Sequence, residues 1–228
     1  MTFNLLGSNL HYEHMVAAIQ AAKPDLVALQ ELTPLSAQAL TEQLGASYPY
    51  RTLEPFDQAT GVGLISRFPI RSAEAFDLPS MDLAVHVVVE VQQQPVHVLV
   101  VHLTPTLLGA DPARYEQAIQ QSYARRAAEV ERLMTLIDQL DGPLILMCDC
   151  NMTDTTPSHS RLSERLVDSF RAAGSGFGHT LRLGGSDIPL RRVDYIWHSD
   201  AFQSLSAEVG VDGSSDHLPL IADLILLP

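Results

Sequence analysis

Short apolar runs separated by polar turns recur along most of this chain, and they predict a protein in which β-strands outnumber helices. Short polar connections join several consecutive runs, which indicates antiparallel pairing. The predicted strands cover residues 2–6, 26–29, 48–53, 63–66, 70–76, 83–91, 96–103, 143–148, 193–197, 202–209 and 218–226.

Apolar residues at helical spacing predict four helices among these strands, and the longest has an apolar face that includes Val130, Leu133 and Ile137. On that helix Arg125 and Arg126 are expected to be solvated or paired with Glu129. Two sheets packed face to face, with the helices outside, would bury all of these faces. The predicted helices cover residues 12–22, 34–44, 111–140 and 158–173.

The composition favours one globular domain over residues 1–228, because 46% of the residues are hydrophobic, 18% are charged and no linker or repeat interrupts them. No apolar run reaches the ~18 residues of a membrane helix. The net charge of −13 does not steer the chain towards DNA, so we expect no strong nucleic-acid affinity, although a nuclease with a small basic site stays open. We expect a monomer.

Cys148 and Cys150 are the two cysteines, and they flank a single residue. This spacing is too short for an ordinary disulfide between elements. On a strand both side chains would lie on one face, opposite to Asp149 and Asn151. We therefore expect small buried apolar residues rather than metal thiolates.

Asp149 and Asn151 follow the apolar run 144–147, and their spacing places both side chains on one face of the strand. A carboxylate beside a carboxamide at a buried strand end is costly unless it is used. The carboxylate can accept a proton from water, and the amide can hold a water or a phosphate oxygen. The alternative is an Asx turn that leads into residues 152–154.

Glu31 also ends an apolar strand, and a single carboxylate of this kind suits Mg²⁺ or Mn²⁺. The alternative for Glu31 is an acidic N-cap residue before the helix that begins at Pro34. Asn4, on the first strand, is a weaker candidate, because most strand-end asparagines only satisfy turns.

Two histidines near strand ends could take part in acid–base or charge-stabilising chemistry. Asp194 could orient the imidazole of His217, while His102 ends another strand, where a lone histidine is more often structural. Three arginines near Asp194 could bind a phosphate, but ion pairs in this acidic chain explain them at least as well: Arg182, Arg191 and Arg192.

Seven short motifs together resemble the endonuclease/exonuclease/phosphatase superfamily, which includes pancreatic deoxyribonuclease, apurinic endonucleases, neutral sphingomyelinases and inositol polyphosphate 5-phosphatases. Their order and spacing are specific and cover nearly the whole chain. The resemblance implies a four-layer α/β/β/α sandwich of two mainly antiparallel sheets with outer helices. The motifs are Thr2-Phe3-Asn4, Leu29-Gln30-Glu31, Gly63-Leu64-Ile65-Ser66-Arg67, Val101-His102-Leu103, Asp149-Cys150-Asn151, Arg192-Val193-Asp194-Tyr195 and Ser215-Asp216-His217.

The resemblance also implies roles for particular residues. The implied ligands of Mg²⁺ or Mn²⁺ are Glu31, Asn4 and Asp216. Asp149 would orient or deprotonate the attacking water, Asn151 would hold water or phosphate, and two histidines would stabilise the phosphoryl charge. The implied catalytic group is therefore His102, Asp149, Asn151, Asp194 and His217.

The chain departs from the family pattern where the usual Gly-Asp-Phe-Asn run is replaced by Cys148-Asp149-Cys150-Asn151. The changed positions face away from the site, so we expect altered packing and retained chemistry. The carboxylate that often accompanies the His102-type histidine is left open among Glu54, Asp57 and Glu90. The opening segment resembles bacterial members that follow membrane helices, so a soluble domain with a membrane tether outside this chain is expected.

The sequence thus predicts a metal-dependent phosphodiesterase that uses activated water and forms no covalent intermediate. A lipid headgroup, a small phosphodiester or a nucleic acid could be the substrate. The alternatives are a nuclease acting on DNA and a catalytically silent binding domain on the same fold.

Overall fold

The computed structural model describes residues 1–57, 60–80, 83–183 and 186–228, which form two six-stranded sheets and a separate two-stranded ribbon. In chain order the strands are β1 (Thr2–Asn4), β2 (Leu26–Gln30), β3 (Tyr50–Glu54), β4 (Val62–Ser66), β5 (Ile70–Asp77), β6 (Leu83–Val91), β7 (Gln94–His102), β8 (Leu144–Asp149), β9 (Val167–Asp168), β10 (Leu181–Arg182), β11 (Pro189–Arg191), β12 (Asp194–His198), β13 (Phe202–Val209) and β14 (Leu220–Leu226). The helices are α1 (Tyr12–Ala22), α2 (Pro34–Leu44), α3 (Tyr115–Ile137), α4 (Pro157–Leu162) and α5 (Ser169–Ala173).

Each large sheet is antiparallel except for one parallel pair among the strands described. The first sheet has the order β13-β14-β1-β2-β4-β3, and its parallel pair is β1–β2. The second has the order β5-β6-β7-β8-β12-β9, and its parallel pair is β7–β8. The carboxyl ends of parallel neighbours lie side by side, so each sheet presents two adjacent strand ends at one edge.

Three apolar layers hold the sheets and helices together. Ile19 of α1 and Leu40 of α2 pack on the outer face of the first sheet, and Leu133 of α3 packs on the outer face of the second. Between the sheets, side chains such as Leu64 and Val98 form the central layer. The four-layer α/β/β/α sandwich is confirmed. No helix within the described ranges is long and apolar enough to cross a membrane.

Two of the predicted helices differ from the observed ones. The prediction of one helix over 158–173 was wrong, since α4 ends at Leu162 and β9 pairs with β12 before α5 begins. The side chain of Asp168 causes the second start, because it accepts hydrogen bonds from the backbone of Phe170 and Arg171. The predicted helix 111–140 begins as a 3₁₀ turn at Pro112–Arg114, capped by Asp111.

Cys148 and Cys150 are bonded to each other as a disulfide, contrary to the sequence-based expectation. Their Cα atoms are 5.1 Å apart, less than the ~6.6 Å of two extended residues and inside the range that a disulfide spans. The shortening arises because β8 ends at Asp149 and Cys150 has already left the strand. Both cysteines are fully buried, as expected, in the layer beneath α3.

Candidate active site

The eight residues predicted from the sequence meet at one edge of the sandwich. The parallel pair β1–β2 brings Asn4 and Glu31 to this edge, and the register of β7 and β8 places His102 opposite Asp149. The antiparallel pair β8–β12 places Asp194 opposite Asp149. The remaining three residues lie on connections at this edge: Asn151 after β8, and Asp216 and His217 before β14.

Asn4 links the two sheets at this edge. Its Nδ2 lies 3.0 Å from Oε1 of Glu31 and 2.8 Å from Oδ2 of Asp149, so one amide donates to a carboxylate of each sheet. Its Oδ1 accepts from the backbone N–H of Leu6 at 2.9 Å, which fixes the orientation of the amide. Asn4 therefore presents its nitrogen to the carboxylates, whereas a metal ligand would have to present its oxygen.

Asp149 lies at the centre of the group and is almost fully buried. Its Oδ1 accepts from the backbone N–H of Asn151 at 3.0 Å. Its Oδ2 lies 3.5 Å from Nε2 of His102 and 3.7 Å from Nε2 of His217. One oxygen of Asp149 thus faces two imidazoles and the amide of Asn4.

His217 and Asp194 form a buried pair, with Nδ1 of the ring 2.9 Å from Oδ2 of the carboxylate. Burial alone would lower the pKa of His217, but the carboxylates of Asp194 and Asp149 outweigh it and raise that pKa to about 10. The raised pKa favours the imidazolium form, with Nε2 turned towards Asp149. His217 thereby brings positive charge into an otherwise acidic site.

The pKa of Asp194 is raised because burial disfavours its charged form, although His217 opposes this effect. The pKa of Asp216 is also raised, first by burial and then by the charge of Glu31. Both shifts arise first from burial, to which neighbouring carboxylates add and which the charge of His217 opposes.

Two predicted site residues adopt a left-handed backbone that non-glycine residues rarely use. Glu31 has φ +52° and Asn151 has φ +48°. Such conformations persist where surrounding contacts enforce them, and they are common at functional sites. Here the enforcing contacts are a hydrogen bond from Gly7 N–H to Glu31 Oε2 at 2.8 Å and one from Asn151 Nδ2 to the carbonyl of Leu103 at 3.0 Å.

The donor set at this edge fits a divalent cation. Ligand atoms of Asp149, Asp194 and His217 lie within 4.8 Å of one another, and the charges of Glu31 and Asp149 both act on Asp216. One oxygen of Asp194 is buried without a hydrogen-bond partner. Oxygen-rich sites with excess negative charge suit Mg²⁺ or Mn²⁺.

The sequence profile of the Endonuclease/Exonuclease/phosphatase family matches residues 1–217, which carry all eight of these residues. This chain belongs to that family. The family is a hydrolase superfamily that includes phosphodiesterases and generally uses divalent metals. No curated protein matches the sequence.

Solved structures show the same fold. An endonuclease/exonuclease/phosphatase from Beutenbergia cavernae is 22% identical with a TM-score of 0.79, over 99% of this chain and 70% of that one. One from Bacteroides vulgatus is 17% identical with a TM-score of 0.79, over 99% and 97%. Sphingomyelinase C from Streptomyces griseocarneus is 18% identical with a TM-score of 0.71, over 97% of both chains.

Two of the arginines proposed to bind phosphate are held in ion pairs. Arg192 is buried, and its guanidinium donates to Asp168 at 2.9 and 2.7 Å and to Asp154 at 3.1 Å. Arg182 donates to Asp212 at 3.0 Å. The ion-pair alternative is therefore the one that the structure supports for both residues.

The carboxylate beside His102 is that of Asp149, 3.5 Å from Nε2 of the ring. Of the three acids left open as its partner, Glu90 instead pairs with Arg71 at 2.8 Å. No contact with His102 is seen for Glu54 or Asp57 within the described chain.

Several residues that hold this family site together were missed from the sequence. Thr180 accepts from the backbone N–H of Asp194 at 3.3 Å, and Ser215 Oγ donates to the carbonyl of Asn4 at 2.8 Å while accepting from His217 N–H at 3.0 Å. These hydroxyl groups tie β12, β1 and the loop before β14 to one another. Thr180 carries no sequence signal for such a role, and Ser215, although it stands in the Ser215-Asp216-His217 motif, was assigned no role from the sequence.

A buried polar network beneath the segment that follows His102 was also missed. Arg126, expected to be solvated or paired with Glu129, is 1% exposed, and its Nη1 donates to the carbonyl of Thr104 at 2.7 Å. The carboxylate of Glu129 accepts from the backbone and the hydroxyl of Thr104 at 3.0 and 2.6 Å. The available signal was that two charged residues fall on the apolar stripe of α3.

Proposed function

We propose that this protein is a Mg²⁺- or Mn²⁺-dependent phosphodiesterase that hydrolyses its substrate by direct attack of water. One observation carries the proposal: Asp149, a buried carboxylate, faces two imidazoles on one side and shares the amide of Asn4 with Glu31 on the other. A proton acceptor, a positive charge and a metal-binding carboxylate therefore meet at one point.

Each group has a physical role in this reaction. Asp149 accepts a proton from the attacking water, whose oxygen bonds to phosphorus while the opposite ester bond breaks. His217, charged and oriented by Asp194, stabilises the negative charge on the phosphoryl oxygens. Asn151 holds water or a phosphoryl oxygen. A divalent ion bound at Glu31 and Asp216 would supply further neutralisation of phosphoryl charge.

The test is hydrolysis of bis-p-nitrophenyl phosphate compared with p-nitrophenyl phosphate, with Mg²⁺ or Mn²⁺ and with chelator, for the wild type and Asp149→Asn. We expect metal-dependent cleavage of the diester that exceeds cleavage of the monoester and is abolished by the substitution. Chelator-resistant activity, or a variant as active as the wild type, would overturn the proposal. No turnover of these and of lipid or DNA diesters would instead identify a binding domain.

A neutral or zwitterionic lipid diester fits the surroundings of the site better than DNA does. Large apolar side chains lie exposed on the connections that leave the catalytic edge, and Phe177 and Leu107 are 86% and 73% exposed. The net charge of −13 opposes binding of a polyanion. The other exposed apolar residues on these connections are Leu10, Phe56, Ile188 and Val211.

This preference is tested by comparing headgroup release from neutral phospholipid micelles with cleavage of single- and double-stranded DNA, each across a range of salt. We expect micelle turnover that changes little with salt. DNA cleavage that falls steeply with salt, without micelle turnover, would establish the nuclease alternative.

A further inference from the structure

A second group of metal-ligand side chains lies outside the active site, at the first turn of α1. His11, Glu13 and His14 each offer one ligand atom, and the three atoms lie within 4.8 Å of one another. Glu13 Oε1 is 3.7 Å from His11 Nδ1 and 4.0 Å from His14 Nε2, which is too long for hydrogen bonds. The three ligand atoms therefore form no hydrogen bonds with one another.

One ring nitrogen of His14 is occupied by a hydrogen bond, which leaves the other nitrogen available to a metal ion. Its Nδ1 lies 2.6 Å from Oγ of Ser214, and a ring that donates to this hydroxyl leaves the lone pair of Nε2 facing Glu13. Metal-bound histidines commonly donate their second nitrogen in this way. Ser214 is itself fixed, because its N–H donates to Asp212 at 2.7 Å and Asp212 binds Arg182.

The spacing and chemistry of these donors favour a transition metal. In a tetrahedral site with bonds of about 2.0–2.1 Å, neighbouring donors lie about 3.3 Å apart, so the three atoms must approach one another. The rings of His11 and His14 are stacked, with centroids 5.4 Å apart, so they must also turn for both lone pairs to face one ion. All three side chains are more than half exposed and can make this movement. Two imidazoles and one carboxylate favour Zn²⁺ and similar ions over Mg²⁺ or Ca²⁺.

The electrostatics are compatible with a cation, although the N-terminus of α1 carries a partial positive charge. Glu13 lies in this first turn, and the protein as a whole carries a charge of −13. With both imidazoles neutral, the site has one negative charge of its own. A divalent ion would therefore be favoured there.

We propose that His11, Glu13 and His14 bind a divalent transition-metal ion, with Zn²⁺ as the probe, at a site separate from the Glu31 centre. Through Ser214 the bound ion would connect the start of α1 to the loop that carries Asp216 and His217. This assignment does not depend on the proposed phosphodiesterase activity.

The experiment is a zinc titration in competition with a chromophoric chelator, on tag-free protein in excess Mg²⁺. It compares the wild type with His11→Ala/His14→Ala, with Glu31→Gln and with the triple variant. We expect the double substitution to lower the number of tightly bound zinc ions by one in both the wild-type and the Glu31→Gln background. His179→Ala, which removes a histidine on another connection at the catalytic edge, should leave the number unchanged.

The site is overturned if the double variant binds as many zinc ions as its parent in either background, or if His179→Ala causes the same loss. Because the three side chains are exposed, the double variant should fold. Circular dichroism and a thermal melt with chelator present verify this, and a melt within a few degrees of the parent shows that the loss is local.

Discussion

Two buried histidine–carboxylate pairs lie close to β12, and they differ in how completely their polar atoms are satisfied. In one pair His217 Nδ1 is 2.9 Å from Asp194, and in the other His159 Nε2 is 3.2 Å from Asp168. All four side chains are at most 6% exposed. Composition and burial alone therefore do not distinguish the pairs.

Both oxygens of the Asp168 carboxylate already accept hydrogen bonds. Arg192 donates to both of its oxygens, and the backbone N–H groups of Phe170 and Arg171 donate to Oδ1. His159 donates to the other oxygen and packs against Trp197, with ring centroids 4.7 Å apart. Every strong acceptor here has a donor, so this pair stabilises the fold.

The Asp194 pair is incomplete by comparison. One oxygen of Asp194 has no hydrogen-bond partner, and Nε2 of His217 ends 3.7 Å from Asp149 without forming a hydrogen bond. Unsatisfied buried groups are costly in a folded protein, so their retention needs a reason. A bound ion, a water and a phosphate would supply the missing partners. Unsatisfied buried atoms also occur beside the other pair, at Trp197 Nε1 and Ser169 Oγ, so the difference lies in the carboxylates themselves: that of Asp168 is fully used and that of Asp194 is not.

The largest effect on catalysis should come from Asp149→Asn, which changes the carboxylate that His217 of the incomplete pair faces. We expect kcat to fall about 10²–10⁴-fold, the usual contribution of an acid–base group, while stability is kept or raised because one of the neighbouring carboxylates loses its charge. Steady-state kinetics with Mn²⁺ and thermal melts without metal give the two values. A loss of less than tenfold would contradict the role assigned to Asp149.

Asp168→Asn should show the opposite behaviour. Asparagine keeps one acceptor oxygen, but it removes the negative charge that pairs with Arg192 and places an NH₂ group against a donor, which we expect to cost about 3–5 kcal/mol of unfolding free energy. Trp197, the only tryptophan and fully buried beside His159, reports unfolding by fluorescence. At temperatures where the variant is folded, kcat should stay within about threefold. A large kcat loss in folded protein would place Asp168 in the site.

The sequence predicted the framework and the composition of the site for a physical reason. Residues such as Glu31 and Asp149 each end an apolar run, and strand patterning indicates where such runs stop. The family resemblance then implied the fold, which is confirmed. The structure brings the eight residues together, while their individual catalytic roles stay predictions.

What could not be predicted depends on contacts between distant segments. Ser215 and Thr180 matter because they lie between strands that are far apart in sequence. Arg126 breaks the rule that helix arginines are solvated, since its acceptors lie on the segment after β7. Asp168 starts α5 through a side-chain cap after α4 has ended at Leu162, whereas the apolar periodicity runs through this segment without a break.

His217→Gln tests whether the incomplete pair acts through its charge. Glutamine can still donate a hydrogen bond but carries no positive charge, so we expect kcat to fall about 10²-fold, at the lower end of the range for such groups. The matched control is His159→Gln in the satisfied pair, which should lower the melting temperature and leave kcat nearly unchanged. Similar kinetic losses in both variants would remove the distinction between the pairs.

The smallest expected effect is a difference in acid stability. Burial opposes ionisation of Asp168, but His159 and Arg192 outweigh it and lower its pKa in the folded state. A lowered folded pKa contributes stability that is fully present above the unfolded value of about 3.9 and is lost as pH falls through the folded value. The gap in unfolding free energy between the wild type and Asp168→Asn should therefore narrow below about pH 4, as the carboxylate of the folded wild type takes up a proton. Denaturant unfolding followed by Trp197 fluorescence measures this gap, and Ser160→Ala, which removes no titrating group, should track the wild type throughout.

A gap that stays constant down to pH 3 would show that the Asp168 network does not favour the ionised carboxylate, and that the two histidine pairs differ less than their hydrogen bonds indicate.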